Sequence, residues 1–400
     1  MSLPFQPLPP RPVRRVRTAL WASALAVTGW TAAVAAPVTF VFTSDVHFGI
    51  NRGNFRGAAN VESRVVNAAM LEAINAVPAA VLPADGGLNA GRPVGPVDFV
   101  VITGDLVNRQ ELYPIHIQSA AVSWGQFAAC YVDGLALHDA TGRPTPLLLV
   151  PGNHDVSNAI GSPSKLVPAR DATSLIGIYN RMMRPALPRT TATYAYPADR
   201  IQYSRDFGGV HCVFLSIWPD RAARAWMESD LQAVPAGEPV FIFCHDPPEG
   251  DARHFTNPNG AHDINDRDKF ENVIADVYAD GVVASVGGKP DGPTTIEQRA
   301  FAAFLKAHPN ITGYFHGHSN WTEFYTWPGP DGDLSLSVFR SDSPMKGKVS
   351  GKDETKLAFQ VVVFDAAQRK LTARECLWNT SAAAGPLAWG QTRTVSLAAP

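Results

Sequence analysis

The chain has 400 residues, of which 46% are hydrophobic and 18% are charged, the composition of a soluble globular protein with a substantial core. Its formal net charge of −2 is a poor match to non-specific nucleic-acid binding, so we expect no nucleic-acid partner. The 32 glycines and 33 prolines place much of the chain in turns and loops.

Residues 1–35 have the pattern of a secretory signal peptide. They contain four arginines and no acidic residue, then a short apolar stretch at 18–30, and end in Ala33-Val34-Ala35. The apolar stretch is shorter than the roughly 20 residues that a membrane-spanning helix needs. We therefore expect an exported protein, periplasmic or secreted, with no membrane anchor after cleavage. Loss of the four arginines would change the net charge from −2 to −6.

The rest of the chain predicts alternating buried strands and amphipathic helices. Strands are expected at residues 38–43, 99–103, 147–150, 210–217, 239–244, 311–315, 334–339, 357–364 and 371–376. Helices are expected at 61–77, 119–132, 175–183, 222–231, 269–278 and 296–308. Residues 379–400 are rich in Ala, Gly and Ser and predict a loose tail after a domain that spans 36–378.

Five of the predicted strands end in side chains that can bind a metal ion. The clearest is the apolar run 147–150, which stops at Pro151-Gly152 and is followed by Asn-His-Asp. One such turn is ordinary Asx chemistry, but five at strand ends indicate a site. Carboxylate, imidazole and amide donors suit two divalent cations that share a carboxylate. The five sets are Asp45 and His47; Asp105; Asn153 and His154; His245; and His318 with Asn320.

This series of motifs, DxH, GDxxxR, GNHD, a strand-terminal His and GHxN, resembles the calcineurin-like metallophosphoesterase family over about residues 38–340. The resemblance implies a four-layer α/β/β/α sandwich of two mixed sheets flanked by helices, with the site at the carboxyl ends of strands. It also implies hydrolysis of a phosphoric ester by a hydroxide held between two divalent ions, Mn, Fe, Mg or Zn. The substrate would be a small molecule or another phosphorylated compound.

The resemblance assigns the ligands of the two cations. Asp105 would bridge them, because a bridging ligand needs two anionic oxygens. The other ligands are Asp45 and His47 for the first cation, and Asn153, His245 and His318 for the second.

Three further residues would act on the substrate. His154 would approach the phosphoryl group as general acid or charge stabiliser, and Asp155 would orient it. Arg109, four residues after the bridging Asp, matches an arginine that grips phosphate in the protein phosphatases of this family.

The last motif departs from the family pattern, which is usually GHxH. Asn320 stands where the second His would complete the first cation site, and an amide oxygen favours Mn, Mg or Fe over Zn. His316 lies two residues before His318 and would face the same side of an extended strand. We favour Asn320, because Gly317-His318 aligns with the Gly-His of the motif.

The sequence leaves three functions open. We prefer a phosphomonoesterase, because Arg109 suits a dianionic phosphate. A phosphodiesterase acting on nucleotides or phospholipid head groups is the first alternative. A non-catalytic metal- or phosphate-binding protein is the second, because Asn320 weakens the first site. The four widely spaced cysteines are expected to be mostly buried free thiols, with one disulfide left open.

Overall fold

The computed structural model describes residues 36–108, 118–156, 173–195, 198–251, 254, 293–381 and 385–397. The described helices are α1 Ser63–Ala76, α2 Ala120–Phe127, α3 Asn153–Val156, α4 Thr173–Met183, α5 Arg221–Asp230 and α6 Pro293–Ala307. A π-helical turn, Ala128–Val132, continues α2. The strands are β1 Val38–Thr43, β2 Asn51–Phe55, β3 Ala58–Glu62, β4 Phe99–Thr103, β5 Leu147–Val150, β6 Gln202–Phe207, β7 Val210–Leu215, β8 Val240–Phe243, β9 Ile311–His316, β10 Glu323–Trp327, β11 Leu336–Arg340, β12 Ala358–Asp365, β13 Lys370–Leu377 and β14 Ala388–Ser396.

Two six-stranded mixed sheets form the centre of the fold. Sheet 1 has the order β14-β13-β12-β1-β4-β5, in which β1, β4 and β5 run parallel. Sheet 2 has the order β10-β11-β9-β8-β7-β6, in which β7, β8, β9 and β11 run parallel. The predicted α/β class, with two mixed sheets and flanking helices, is confirmed. Parallel strands end at the same edge of a sheet, and this edge carries the predicted motifs.

Aromatic side chains join the two sheets face to face. Phe40 of β1 stacks on Phe99 of β4, with ring centroids 4.5 Å apart. It also meets Phe243 of β8 at 5.8 Å and Phe315 of β9 at 5.5 Å, both in sheet 2. The central strands are buried along their whole length because the opposite sheet covers one face and other core residues cover the second, and most of their side chains are therefore apolar.

Helix α6 covers the outer face of sheet 2. Phe301 of α6 contacts Tyr314 at 6.0 Å and stacks against Trp327 at 5.8 Å. Tyr314 and Phe315 are neighbours in β9, so their side chains point to opposite faces of the sheet. Within the described ranges, every helix is too short or too polar to cross a lipid bilayer.

Several sequence expectations need correction. The predicted tail is wrong at Ala388–Ser396, which pairs with β13 as the edge strand of sheet 1. The strand was not predicted because most of its side chains are polar and it contains no apolar run. It is paired with β13 through side chains as well as backbone, since Thr394 Oγ1 lies 2.9 Å from Thr372 Oγ1. The hairpin β2–β3 and strands β6 and β10 were also not predicted. The helix predicted at 269–278 lies outside the described residues. All four cysteines are free, and three of them are buried.

Candidate metal centre

The five motifs meet where the two sheets end. His318, which follows β9 in sheet 2, donates its backbone N–H to Asp45 Oδ2 at the end of β1, at 2.9 Å. His245, which follows β8, has its Nε2 3.4 Å from Asp105 Oδ1 at the end of β4. The backbone N–H of His154, after β5, donates to the same Asp105 oxygen at 2.8 Å. Residues as far apart as 273 positions in the chain thus share one buried pocket.

One set of donor atoms gathers around the imidazole of His47. Its Nε2 lies 3.7 Å from Asp45 Oδ1 and 3.6 Å from Asp105 Oδ2. Both His47 Nε2 and Asp45 Oδ1 are buried without a hydrogen-bond partner among the described residues, and so is Asn320 Oδ1. Buried polar atoms rarely remain unpaired, so these three atoms are suited to bind a metal ion.

A second set of donor atoms gathers around the amide of Asn153. Asn153 Oδ1 lies 3.1 Å from His245 Nε2 and 3.3 Å from His318 Nδ1. Asp105 contributes its Oδ1 here and its Oδ2 to the first set. The two sets therefore share one carboxylate.

The spacing of the donor atoms fits divalent cations. With metal–ligand bonds of about 2.0–2.2 Å, two ligands of one ion lie roughly 3.0–3.5 Å apart. The separations within the sets are 3.1–3.7 Å. Four overlapping groups of His and Asp side chains in this pocket have ligand atoms within 4.8 Å of one another. The residues present thus fit two cations bridged by Asp105.

Hydrogen bonds on the far side of each ring fix the orientation of the imidazoles. A ring nitrogen that donates to an oxygen leaves the other one free to bind metal. The three partners are Asn108 Oδ1 for His47 Nδ1 at 2.6 Å, the Thr103 carbonyl for His245 Nδ1 at 2.7 Å, and Asp251 Oδ2 for His318 Nε2 at 3.1 Å. The sequence did not point to Asn108 or Asp251 in this role, because no motif marks a residue that contacts a metal ligand but not the metal itself.

Asn320 and His316 differ in whether their hydrogen bonds leave a side-chain atom available to a cation. Both ring nitrogens of His316 are occupied, Nδ1 by the Gly317 carbonyl at 2.9 Å and Nε2 by the Tyr325 hydroxyl at 3.2 Å. Asn320 donates its side-chain N–H to the His318 carbonyl at 2.9 Å, which leaves its Oδ1 available.

Asp155 takes a different position from the one expected. Its carboxylate accepts hydrogen bonds from the backbone N–H groups of Leu106, Val107 and Gly152 and from the Ser174 hydroxyl, at 2.6–3.1 Å. Within the described residues it has no hydrogen bond to the His154 ring. Asp155 therefore connects the turn after β4 to the turn after β5, and it supports the site through the backbone.

His154 lies beside the shared carboxylate and faces a lysine. Its Nε2 is 3.9 Å from Asp105 Oδ2 and 3.1 Å from the Lys346 ammonium. Lys346 is half-buried in the segment after β11. No motif in the sequence indicated this residue. Arg109, the predicted phosphate-binding arginine, lies outside the described residues.

The charges of the pocket suit metal ligation. Burial alone would raise the pKa of Asp105, but the neighbouring imidazoles of His245 and His154 outweigh it and hold this pKa well below its usual range. Burial and the Lys346 ammonium hold the pKa of His154 well below its usual range. Asp105 is thus a carboxylate and His154 a neutral imidazole at physiological pH.

A comparison with models of known protein families shows which family this chain belongs to. The family model described as calcineurin-like phosphoesterase matches residues 38–321. The chain belongs to the calcineurin-like phosphoesterase family. It is accordingly a metal-dependent phosphoester hydrolase, of a family that typically uses a dinuclear metal centre. No curated protein sequence matches the chain significantly.

Solved structures related to this calcineurin-like phosphoesterase share little sequence with it. A phosphopantetheinyl hydrolase from Mycobacterium tuberculosis is 11% identical, with a TM-score of 0.33, and the match covers 78% of this chain and 92% of that one. The calcineurin-like phosphoesterase YfkN from Bacillus subtilis is 10% identical, with a TM-score of 0.31 and 90% of both chains covered.

Proposed function

We propose that this calcineurin-like phosphoesterase is a phosphomonoesterase that works with two divalent cations. The observation that carries the proposal is the pair of donor sets that share Asp105. The proposed ligands are Asp45, His47, Asp105 and Asn320 for the first cation, and Asp105, Asn153, His245 and His318 for the second. Because Asn320 offers an amide oxygen, Mn, Mg or Fe suits the first position better than Zn.

Two such cations would supply an activated water at neutral pH and stabilise the negative charge that develops on the phosphoryl group. The chain supplies the rest. The neutral His154 ring borders the shared carboxylate, and it can donate to an oxygen of the substrate in the tautomer that carries its proton on Nε2. The hydrogen bonds on the far side of His47, His245 and His318 would hold the other ring nitrogen of each toward the cations.

The preference for a monoester is supported by the position of Arg109 in the sequence, because its forked donors suit a dianionic phosphate. The test compares p-nitrophenyl phosphate with bis(p-nitrophenyl) phosphate on protein loaded with Mn, Mg, Fe or Zn and on chelator-treated protein. We expect faster turnover of the monoester and none without metal. Faster turnover of the bis-ester would favour the phosphodiesterase alternative. Uptake of two ions without turnover of either ester would favour a binding protein.

We also propose export to the periplasm or the medium. The support is the N-terminal composition, with four arginines, an apolar stretch and Ala33-Val34-Ala35 before residue 36. Cell fractionation followed by mass spectrometry tests it, and the expected mature protein begins at Ala36. A full-length protein in the cytoplasmic fraction would contradict the proposal.

A further inference from the structure

We propose that Lys346 is a phosphate-binding residue and that the segment 341–350 is built to hold it over the metal centre. The proposal deepens the proposed function, because it needs a phosphoryl group at that centre. The segment lies beyond residues 38–321, which the family model matches.

The Lys346 ammonium occupies the substrate side of the centre. Nζ lies 3.1 Å from His154 Nε2, whose ring meets the His47 ring at a centroid distance of 5.0 Å. His154 Nε2 is in turn 3.9 Å from the shared Asp105 carboxylate. The ammonium can therefore donate to an oxygen of a phosphoryl group at the centre, and His154 can donate beside it once its ring proton lies on Nε2.

Two anchors fix the backbone of the segment. Ser343 Oγ donates to the Asp45 carbonyl at 2.7 Å and accepts the N–H groups of Met345 and Lys346 at 3.2 and 2.9 Å. The buried Arg52 guanidinium donates to the Pro344 carbonyl at 2.7 Å and to the Ser350 carbonyl. The position of Lys346 is thus tied directly to a proposed metal ligand.

The charges explain why a lysine stands there. Among the described residues the Lys346 ammonium has no carboxylate ion-pair partner, and its one hydrogen bond goes to a neutral imidazole. In the metal-free chain it offsets the charge of Asp45 and Asp105. With two divalent cations bound, the positive charge of the cations would exceed the negative charge of the carboxylates. The ammonium would then no longer be needed to neutralise them, and an incoming anion would become its partner. A dianionic monoester gains more from this charge than a monoanionic diester does.

The test uses Lys346→Met in the full chain, with Lys346→Arg as the conservative variant and Lys348→Met as the matched control. Lys348 is two residues away and exposed, with its ammonium 3.9 Å from the Trp321 ring centroid. Metal content is measured first, and then the affinity of the two-metal protein for inorganic phosphate by calorimetry. Steady-state kinetics on the two p-nitrophenyl esters follow.

We expect Lys346→Met to keep both ions and to weaken phosphate binding by about tenfold to a hundredfold, the effect of one charge-assisted hydrogen bond. Its kcat/KM should fall more for the monoester than for the bis-ester. Lys346→Arg should recover part of both losses, and Lys348→Met should stay within about twofold of the parent.

Three results would overturn the proposal: unchanged phosphate affinity in Lys346→Met, an equal loss in Lys348→Met, or loss of a metal ion in Lys346→Met, which would make Lys346 a structural counter-ion. Lys346→Gln gives the same reading if the Met variant does not fold. If the parent protein binds phosphate through Lys346 but cleaves neither ester, the proposed function fails and this inference stands.

Discussion

Replacing Asp155 with asparagine tests whether this residue stabilises the fold or takes part in the chemistry. The Asp155 carboxylate accepts four hydrogen bonds, from Leu106 and Gly152 N–H on Oδ2 and from Val107 N–H and Ser174 Oγ–H on Oδ1. The asparagine would keep most hydrogen bonds with its amide nitrogen at the Oδ1 position, because the Ser174 hydroxyl can rotate and accept a hydrogen bond from that nitrogen. The Val107 N–H then has no acceptor, which costs about 1–3 kcal/mol. The bonds from Leu106 and Gly152 also lose the charge of their acceptor, about 1 kcal/mol each. The sum is a destabilisation of about 3–5 kcal/mol.

The assay is urea unfolding of Asp155→Asn in the presence of a chelator, so that metal binding does not enter the free energy of unfolding. Ser174→Ala is the graded control, because it removes one donor and should cost about 1.5 kcal/mol. With metal restored, we expect weaker metal binding, since the two turns that Asp155 connects carry Asp105 and Asn153. If Asp155→Asn unfolds within about 0.5 kcal/mol of the parent but turns over far more slowly, the structural explanation is wrong and Asp155 acts in the chemistry.

Three other outcomes follow from the described contacts. Asp105→Asn should reduce the bound metal from two ions to one or none, measured by elemental analysis, whereas retention of two ions would exclude Asp105 as the bridge. Asn320→Ala should weaken the first cation by about tenfold or more in a competition titration, and unchanged affinity would exclude the amide as a ligand. His211 lies far from the centre; burial lowers its pKa, but hydrogen bonds to Asp230 and Asp206 outweigh burial and raise it above 6.5. The protonated ring therefore stabilises the fold fully below pH 6.5, and this stabilisation is lost as the pH rises through the raised pKa. His211→Gln should flatten that part of the pH profile of urea unfolding, and a profile identical to the parent would contradict the assignment.

The sequence was a good guide to the fold wherever a strand is buried on both faces. Strands β1, β4 and β5 were predicted to the residue, because each is a short run of apolar and β-branched side chains that ends at a turn motif. Strands β6 and β14 were missed because they lie at sheet edges, where most of their side chains are at least partly exposed. Their pairing depends on backbone hydrogen bonds to a neighbour, which side-chain patterns do not record.

For the candidate site, the sequence indicated the donors but not the residues that support them. Each donor follows a strand whose position can be predicted, so a motif and an apolar run suffice to find it. Lys346 reaches His154 across 192 positions in the chain. That contact depends on the path of the segment that connects β11 of sheet 2 to β12 of sheet 1, and no local sequence pattern predicts that path. The role of Asp155 was also mistaken, because adjacency to His154 in sequence does not determine where its carboxylate points.

Five of the proposed metal ligands have an unusual backbone conformation. Asp45, His47, Asp105, His318 and Asn320 all have φ between 41° and 65°, a left-handed conformation that costs a non-glycine residue about 1 kcal/mol or more. Each strand must turn this sharply to aim its side chain back into the pocket, and backbone bonds such as Asp45 N–H to the Gly104 carbonyl at 3.0 Å hold the turns together.

The turns bring donor atoms against the backbone of the neighbouring motif, and this contact leaves no room for a Cβ. A Cβ at Gly317 would collide with Ser44 and with the Asp45 carboxylate, and one at Gly152 would collide with Asp105. The glycines before His318 and Asn153 are therefore steric requirements imposed by a carboxylate of another strand. The glycines in these motifs therefore let the ends of neighbouring strands approach closely enough for their side chains to bind the two proposed cations together.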